Sequence, residues 1–429
     1  MSEFKPIIDF FIMHDHWKRW AIGWILCLGV WGTDAFGQGL GDFLKSALAT
    51  PEVRIAEQQQ ALLTRKPYRL PMISEVELRA RTNEFGSDRE RYALRLNVAN
   101  PWEVRHNHLF FDAEQKLLAL EQSMLLRDAL ELRYTTVIEW LYLKNLESLN
   151  QTRTEKATQR LRAWEQLVGT QSFDAENFIE TKLALFDLQL EGEEIAFDQA
   201  EQAYQLEQCQ PGAAAFGAAW SPEGLPTVGQ VKAWLDRHAP AGLPNEELAY
   251  QQQALEQAER AYRLEKSNGN IAFVQTGYDQ RNQNDGRNPL QLSVGIRLPL
   301  VNPNKPDMTK EQLEMIERKE KAAAAQASEG LPEAVLRPFL LEMIHRYERL
   351  KAQQSALLSP AEQQQLLRIT NGNPLVMWEL EDKVLATEAT LAKMHRDILV
   401  GFVRYLANSG QLQQRPLVNY LSSQMEGLE

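Results

Sequence analysis

The chain has 429 residues and a formal net charge of −12, with 44% hydrophobic and 24% charged residues. This acidic balance argues against a nucleic-acid-binding protein, because no basic face is available to neutralise phosphates. Glycine is scarce at 23 residues, while Gln, Glu, Ala and Leu are abundant, which favours a mainly helical fold.

The N-terminal residues are typical of an export signal. A short basic segment precedes an apolar run at 21–32, and small residues follow at 35–37, where a signal peptidase would cleave. The apolar run is too short for a permanent membrane-spanning helix. We therefore expect residues 1–37 to be removed; an uncleaved anchor is the alternative. Met13 gives a more usual signal length than Met1, and the sequence leaves the true start open.

A helical segment and a β-hairpin follow the signal. Residues 40–63 have helical periodicity, which ends near a proline at 67. Residues 73–81 and 91–98 each alternate between apolar and polar side chains, with a Gly-Ser-Asp turn at 86–88 between them. Such a hairpin is compatible with a protein core on its apolar face, and equally with lipid on that face and water on the other.

Two long helices complete this first unit. Residues 101–168 predict one helix of about 100 Å, with apolar residues at the spacing of a coiled-coil seam. Its segment 151–160 is nearly all polar, which predicts that this end projects away from any apolar layer. A break at 169–172 is followed by a return helix at 174–207. The seam of that helix consists of Ile179, Leu183, Phe186 and Leu190.

The same order of elements recurs in the second half of the chain. Residues 94–101 align with 296–303, an offset of 202 residues (296 − 94), and the glutamine-rich segment 58–62 resembles 251–255. The later unit comprises a helix at 246–266, strands at 271–278 and 290–300, a long helical pattern at 307–369 interrupted by prolines, and a return helix at 375–407. An internal duplication is therefore predicted.

These patterns divide the chain into five parts. We assign a signal peptide (1–37), a first structural repeat (38–208), a linker with a short helix (209–243), a second structural repeat (244–410) and a C-terminal tail (411–429) that we expect to be loose.

The layout resembles that of the TolC-like outer-membrane efflux proteins, over roughly residues 40 to 410. The strand that runs from Val294 into Pro299 and the helix break at Gly169 are similar to segments of that family. The resemblance implies a mainly α fold with a small β part: an internally duplicated long-helix α-barrel plus β-hairpins that contribute four strands to a trimeric, twelve-stranded outer-membrane β-barrel. A trimer is also reasonable physically, because lipid does not tolerate the open edges of a four-stranded sheet.

The resemblance also implies a function and partners. The chain would be the outer-membrane exit duct of a tripartite efflux or type I secretion system, extending into the periplasm and conducting substrates passively. It would form a homotrimer in outer-membrane lipid and dock to a periplasmic adaptor and an inner-membrane pump of RND or ABC type. We expect no enzymatic activity and no cofactor. The alternative is a non-conducting periplasmic coiled-coil spacer or adaptor, which would not need strands with a lipid-compatible face.

The alternation of the strands assigns their residues to two faces. The predicted lipid-facing residues are Val76, Leu78, Leu94, Leu96, Leu292, Val294, Ile296 and Leu298. The predicted lumen-facing residues are Glu75, Glu77, Arg79, Arg81, Arg95 and Arg297. The residues expected to contact the adaptor at the helix tips are Gly169, Thr170, Gln171, Ser172, Asn371, Gly372, Asn373 and Pro374.

The family resemblance also suggests acidic rings at the periplasmic gate. The candidates are Asp174 on the first return helix, and Glu379, Glu381 and Asp382 on the second. The alternative, especially for Asp174, is an ordinary acidic residue at a helix N-terminus. No metal site is predicted, because the pair at His106 and His108 has no third ligand nearby.

Overall fold

The structure is a computed structural model, and it describes most of the chain after the predicted signal peptide. The described residues are 39–65, 69–82, 90–171, 173–238, 246–267, 272–279, 282–283, 285–296, 305–327, 331–357, 368 and 374–428. The predictions for Met1 and Met13, for residues 1–37, and for Ser172, Arg297, Leu298, Asn371, Gly372 and Asn373 lie outside these ranges.

The fold is mainly helical with one small sheet, as the sequence predicted. The helices are α1 (Leu40–Lys45), α2 (Pro51–Arg65), α3 (Pro101–Leu167), α4 (Ala175–Cys209), α5 (Ala213–Gly217), α6 (Val228–Arg237), α7 (Glu246–Ser267), α8 (Lys305–Ala327), α9 (Leu331–Leu357) and α10 (Pro374–Asn408). The strands are β1 (Ile73–Thr82), β2 (Glu90–Val98), β3 (Ala272–Asp279) and β4 (Leu290–Ile296). Among the described helices, none carries an apolar stretch of the length that a bilayer crossing requires.

The first long helix pair forms as predicted, and its ends are capped by local side chains. Asn100 accepts a hydrogen bond from the Trp102 backbone N–H, and Pro101 occupies the first turn, where its missing N–H has no cost. α4 then returns along α3 and buries a heptad-spaced seam that includes Thr181, Leu188 and Ile195. This spacing of seven residues is that of a left-handed coiled coil.

The second long helical pattern contains prolines that the first lacks. The described residues of the pattern at 307–369 include α8 and α9, and residues 328–330 between these helices lie outside the described ranges. Pro332 lies in the first turn of α9, a position that proline tolerates, and Pro338 lies inside this helix. In the first repeat, α3 runs through 67 residues without a proline after its first position. The interruption expected near residue 330 stays a prediction.

The main core lies where the two repeats meet, between the sheet and the helix tips. Phe43 of α1, Tyr134 of α3, Leu235 of α6 and Phe402 of α10 are all almost completely buried there. Burying side chains of this size from several elements supplies the apolar area that holds the repeats together.

The expectation of a loose C-terminal tail is wrong. Leu412, Leu417 and Leu421 are buried in the core of the two repeats. A short bridge pairs Val418 with Gly427, so the segment folds back on itself. The segment is rich in polar residues and lacks helical or strand periodicity, which is why its buried leucines were not recognised in the sequence.

Tyr134 holds this C-terminal segment onto α3. Its hydroxyl donates a hydrogen bond of 2.8 Å to the carbonyl of Val418 and accepts one of 3.3 Å from the backbone N–H of Tyr420. Burial raises the pKa of the Tyr134 hydroxyl, so it stays protonated and able to donate.

We expect Tyr134→Phe to loosen the C-terminal segment. The change leaves two buried backbone groups without their partner, which costs about 1–3 kcal/mol. Limited proteolysis should cut residues 411–428 faster, and the thermal unfolding midpoint of the purified protein should fall. Tyr204→Phe, at a residue that is 65% exposed, is the control and should change neither. Equal behaviour of the two variants would contradict this role.

Candidate functional site

The four strands form one antiparallel sheet in chain order, β1-β2-β3-β4, which joins the two predicted hairpins through β2 and β3. Seven rows of directly opposed residues cross all four strands. The rows on one face are Ile73, Val98, Ala272, Ile296; then Val76, Leu96, Val274, Val294; then Leu78, Leu94, Thr276, Leu292; then Ala80, Tyr92, Tyr278, Leu290. This face is almost entirely apolar.

The apolar face is exposed. Leu78 is 77% exposed, Leu292 74% and Val294 66%, which are high fractions for large apolar side chains. In a water-soluble protein such a continuous patch marks an interaction surface. The rows place the predicted lipid-facing residues within the described strands together on this face.

A β-bulge extends the apolar face at the helix end of β1. The register shifts between Ile73 and Glu75, so that Ile73, rather than Ser74, lies opposite Val98. Simple alternation in the sequence had placed Ser74 on the apolar side. An extra residue in one strand reverses the alternation beyond it, which sequence periodicity alone does not reveal.

The other face of the sheet is polar and charged. Glu75, Glu77, Arg79, Arg81 and Arg95 lie together on it, as the alternation predicted. The guanidinium of Arg79 donates two hydrogen bonds, of 2.7 and 2.8 Å, to the Glu77 carboxylate. On the neighbouring strands, Arg91 forms an ion pair of 2.9 Å with Asp279. The charges of this face are therefore partly paired with one another.

The first helix tip is a tight turn after α3. Gly169 has a φ of +83°, a left-handed conformation that glycine adopts without strain. The Asp174 carboxylate then caps α4 by accepting hydrogen bonds from the backbone N–H groups of Glu176 and Asn177. The Asn177 side-chain amide donates a third bond, and this bond, followed by the two backbone bonds, holds the pKa of the Asp174 carboxyl below its usual range. The geometry thus matches the capping alternative, while a place for Asp174 in an acidic ring stays a prediction.

The other acidic candidates lie on α10, and two of them form ion pairs. Glu381 accepts a 2.6 Å bond from Lys156 of α3, and Asp382 lies 3.5 Å from Arg153 of the same helix. Arg153 also reaches Glu191 of α4, at 3.3 Å. These contacts join three helices near the tip. Glu379, in contrast, is exposed.

The ion pairs surround a crevice of about 200 Å³ between the three helices. Its walls also include Arg160, Asp187 and Trp378. The basic side chains of α3 were missed as functional candidates. They lie in the polar segment 151–160, whose composition indicated only that this part of α3 avoids an apolar layer. Three basic residues at 153, 156 and 160, at helical spacing, were the available signal.

Solved structures of outer-membrane channels are similar to this chain. The outer membrane protein VceC from Vibrio cholerae is 11% identical, with a TM-score of 0.60 over 86% of this chain and 96% of that chain. The MtrE outer membrane channel of Neisseria gonorrhoeae is 15% identical, with a TM-score of 0.55 over 87% and 89%. The CmeC outer membrane channel of Campylobacter jejuni is 9% identical, with a TM-score of 0.57 over 91% and 85%.

No protein-family model and no curated protein matches the sequence. The likeness at these identities therefore concerns the fold, and it extends over most of this chain and of each of those channels. The long-helix repeats and the small sheet predicted from the sequence are confirmed. The chain has the fold of the TolC-like outer-membrane efflux channels.

Proposed function

We propose that this protein is a trimeric exit duct in the outer membrane that conducts substrates passively from an inner-membrane pump. The observation that carries the proposal is the two-faced sheet, which has an exposed apolar face and a charged face on the same four strands. A transmembrane barrel requires this arrangement, because one face meets lipid and the other lines water. The fold shared with outer-membrane channels supports it.

Two further features support a trimer. The edge strands β1 and β4 of the described sheet would each need a neighbour in lipid, which adjacent subunits could supply in a closed barrel of twelve strands. In addition, α4 exposes a second seam with heptad-like spacing that its contact with α3 leaves uncovered. Ile179 is 57% exposed, Leu183 59% and Phe186 56%. A helix from a second subunit would cover this stripe.

The long helices would continue the duct through the periplasm. The tip residues Gly169, Thr170 and Gln171 would then face a periplasmic adaptor, together with the start of α10 at Pro374. In this proposal the pump, of RND or ABC type, supplies the energy and this chain supplies the path.

Conductance in planar lipid bilayers tests the proposal. The purified protein should form ion-conducting channels, fractionate with the outer membrane and migrate as a trimer in mild detergent. The alternative, a periplasmic coiled-coil spacer or adaptor, would be water-soluble and would not conduct. An absence of conductance from a membrane-inserted trimer would also contradict the duct.

We expect the acidic residues at the helix tips to make the duct cation-selective. Glu379→Gln combined with Asp174→Asn should lower the cation-to-anion permeability ratio. In a trimer each substitution removes three negative charges from the periplasmic end of the duct, where the helix tips converge. The reversal potential in a salt gradient measures this ratio. Unchanged selectivity in a correctly assembled double variant would show that Asp174 acts only as the N-terminal cap of α4.

A further inference from the structure

Phe273 is the one large apolar side chain that the strand register places on the charged face of the described sheet. Its direct cross-strand partners are Asn97 on β2 and Gly295 on β4. An aromatic residue there is unexpected, because under the proposed function this face lines the water-filled duct. Its contacts therefore call for an explanation.

Gly295 makes room for the ring of Phe273. A Cβ atom at residue 295 would overlap the ring carbons of Phe273, so any larger residue would displace the ring. An aromatic ring that covers a cross-strand glycine also protects the exposed backbone there. The position of the ring is thus set by residues on two adjacent strands, Phe273 on β3 and Gly295 on β4.

The guanidinium of Arg95 lies over this ring. Its Cζ atom is 3.9 Å from the ring centroid of Phe273, a close cation–π contact. Arg79 and Arg91 on the same face are each paired with a carboxylate, whereas no described carboxylate lies within ion-pair distance of Arg95. Within the described residues its buried Nε also has no hydrogen-bond partner. Glu77 lies directly opposite Arg95, but its carboxylate accepts its two hydrogen bonds from Arg79, so Arg95 forms no ion pair of its own with a described residue.

The residues beside this pair are small or polar. The row that contains Arg95 continues with Gln275 and Ser293. The next row, about 7 Å away, holds Ala93 and Gly277 between Arg79 and Gln291, and the two small residues leave open space above the strands between those longer side chains. A flat ring could rest there while an anionic group reached the guanidinium, whose in-plane N–H groups stay available when its face is stacked on an aromatic ring.

We propose that Arg95 and Phe273, seated over Gly295, form a binding site for aromatic anions on the wall of the duct. This inference rests on the proposed function, and a trimer would carry three such sites at one level. Aromatic carboxylates or sulfonates are the class of solute that combines a ring for stacking with an anion for the guanidinium.

The test is block of the single-channel current by benzenesulfonate, with methanesulfonate as the non-aromatic comparison. Benzenesulfonate should block the wild-type channel at lower concentration than methanesulfonate. Phe273→Leu and Arg95→Gln should each raise its half-blocking concentration about fivefold or more. Gly295→Ala should do the same by displacing the ring. Arg95→Lys keeps the charge but loses the planar group, and should retain ion selectivity while losing the preference for the aromatic anion.

Arg91→Gln is the matched control, since it removes the same charge from the same face two rows away and leaves Arg95, Phe273 and Glu77 in place. It should leave benzenesulfonate block within about twofold of wild type. Unchanged block in Phe273→Leu, or an equal loss in Arg91→Gln, would overturn the site while leaving the duct intact. A wild-type trimer that carries no current would overturn the proposed function and the site together.

Discussion

Val294→Arg is expected to abolish assembly of the proposed trimer in the membrane. Val294 lies in the apolar row with Val76, Leu96 and Val274, and its side chain is 66% exposed. An arginine facing lipid near the bilayer midplane costs about 2–4 kcal/mol, and a trimer carries three copies. Gel electrophoresis of mild-detergent extracts should show loss of the trimer band, and the protein should leave the outer-membrane fraction.

Ser293→Arg provides the matched control, because the same side chain is introduced one residue away on the opposite face. Ser293 lies in the row of Glu77, Arg95 and Gln275, where a further charge meets water. This variant should assemble normally and change only ion selectivity. If Ser293→Arg were lost from the membrane and Val294→Arg retained, the two faces would be assigned the wrong way round.

Lys156→Glu is expected to favour an open periplasmic end. Lys156 and Glu381 form a 2.6 Å ion pair that joins α3 to α10 near the tips. Both side chains are roughly half exposed, so each pair contributes only about 0.2–1 kcal/mol. Reversing one charge replaces this attraction by a repulsion. Summed over three copies, the closed state loses about 2 kcal/mol relative to the open state. This changes the ratio of open to closed channels roughly thirtyfold, which single-channel open probability measures.

The charge swap Lys156→Glu with Glu381→Lys is the control for this prediction. It restores opposite charges across the same contact and should return the open probability towards wild type. The effect of the single variant should also shrink in concentrated salt, because exposed charges are screened. An effect that persists in the double variant would show that the ion pair does not hold the helices closed.

The sheet shows how much of this fold periodicity can predict. Strand residues alternate with a period of two, so the apolar set around Leu78 and Leu94 was separated from the charged set around Arg79 and Arg95 from the sequence alone. The bulge at Ile73 was missed, since one extra residue leaves no mark in composition. Phe273 was missed because it places an aromatic ring on the polar face, where alternation predicts a polar residue. Its contact with Gly295 lies on another strand and leaves no local pattern in the sequence.

The contacts at the helix tips could not be predicted for a different reason. Arg153 and Asp382 lie far apart in sequence and belong to different repeats, so no local pattern links them. Helix periodicity identified α3 and α10 as separate elements. Which faces meet depends on how the two repeats pack, and this depends on the core around Tyr134.

The position of that core has a consequence for the order of folding. The hydroxyl of Tyr134 binds the carbonyl of Val418 across 284 residues of sequence. α3 and α4, in contrast, pair through a short turn, and contacts of low sequence separation form first. The helical hairpins should therefore be early, kinetically independent units, and the junction between them should close last. Until Leu417 and Leu421 arrive, the apolar surface around Phe402 stays accessible to solvent and prone to aggregation. Under the proposed function, periplasmic holdase chaperones should accordingly bind this chain longest at the apolar surface around Phe402.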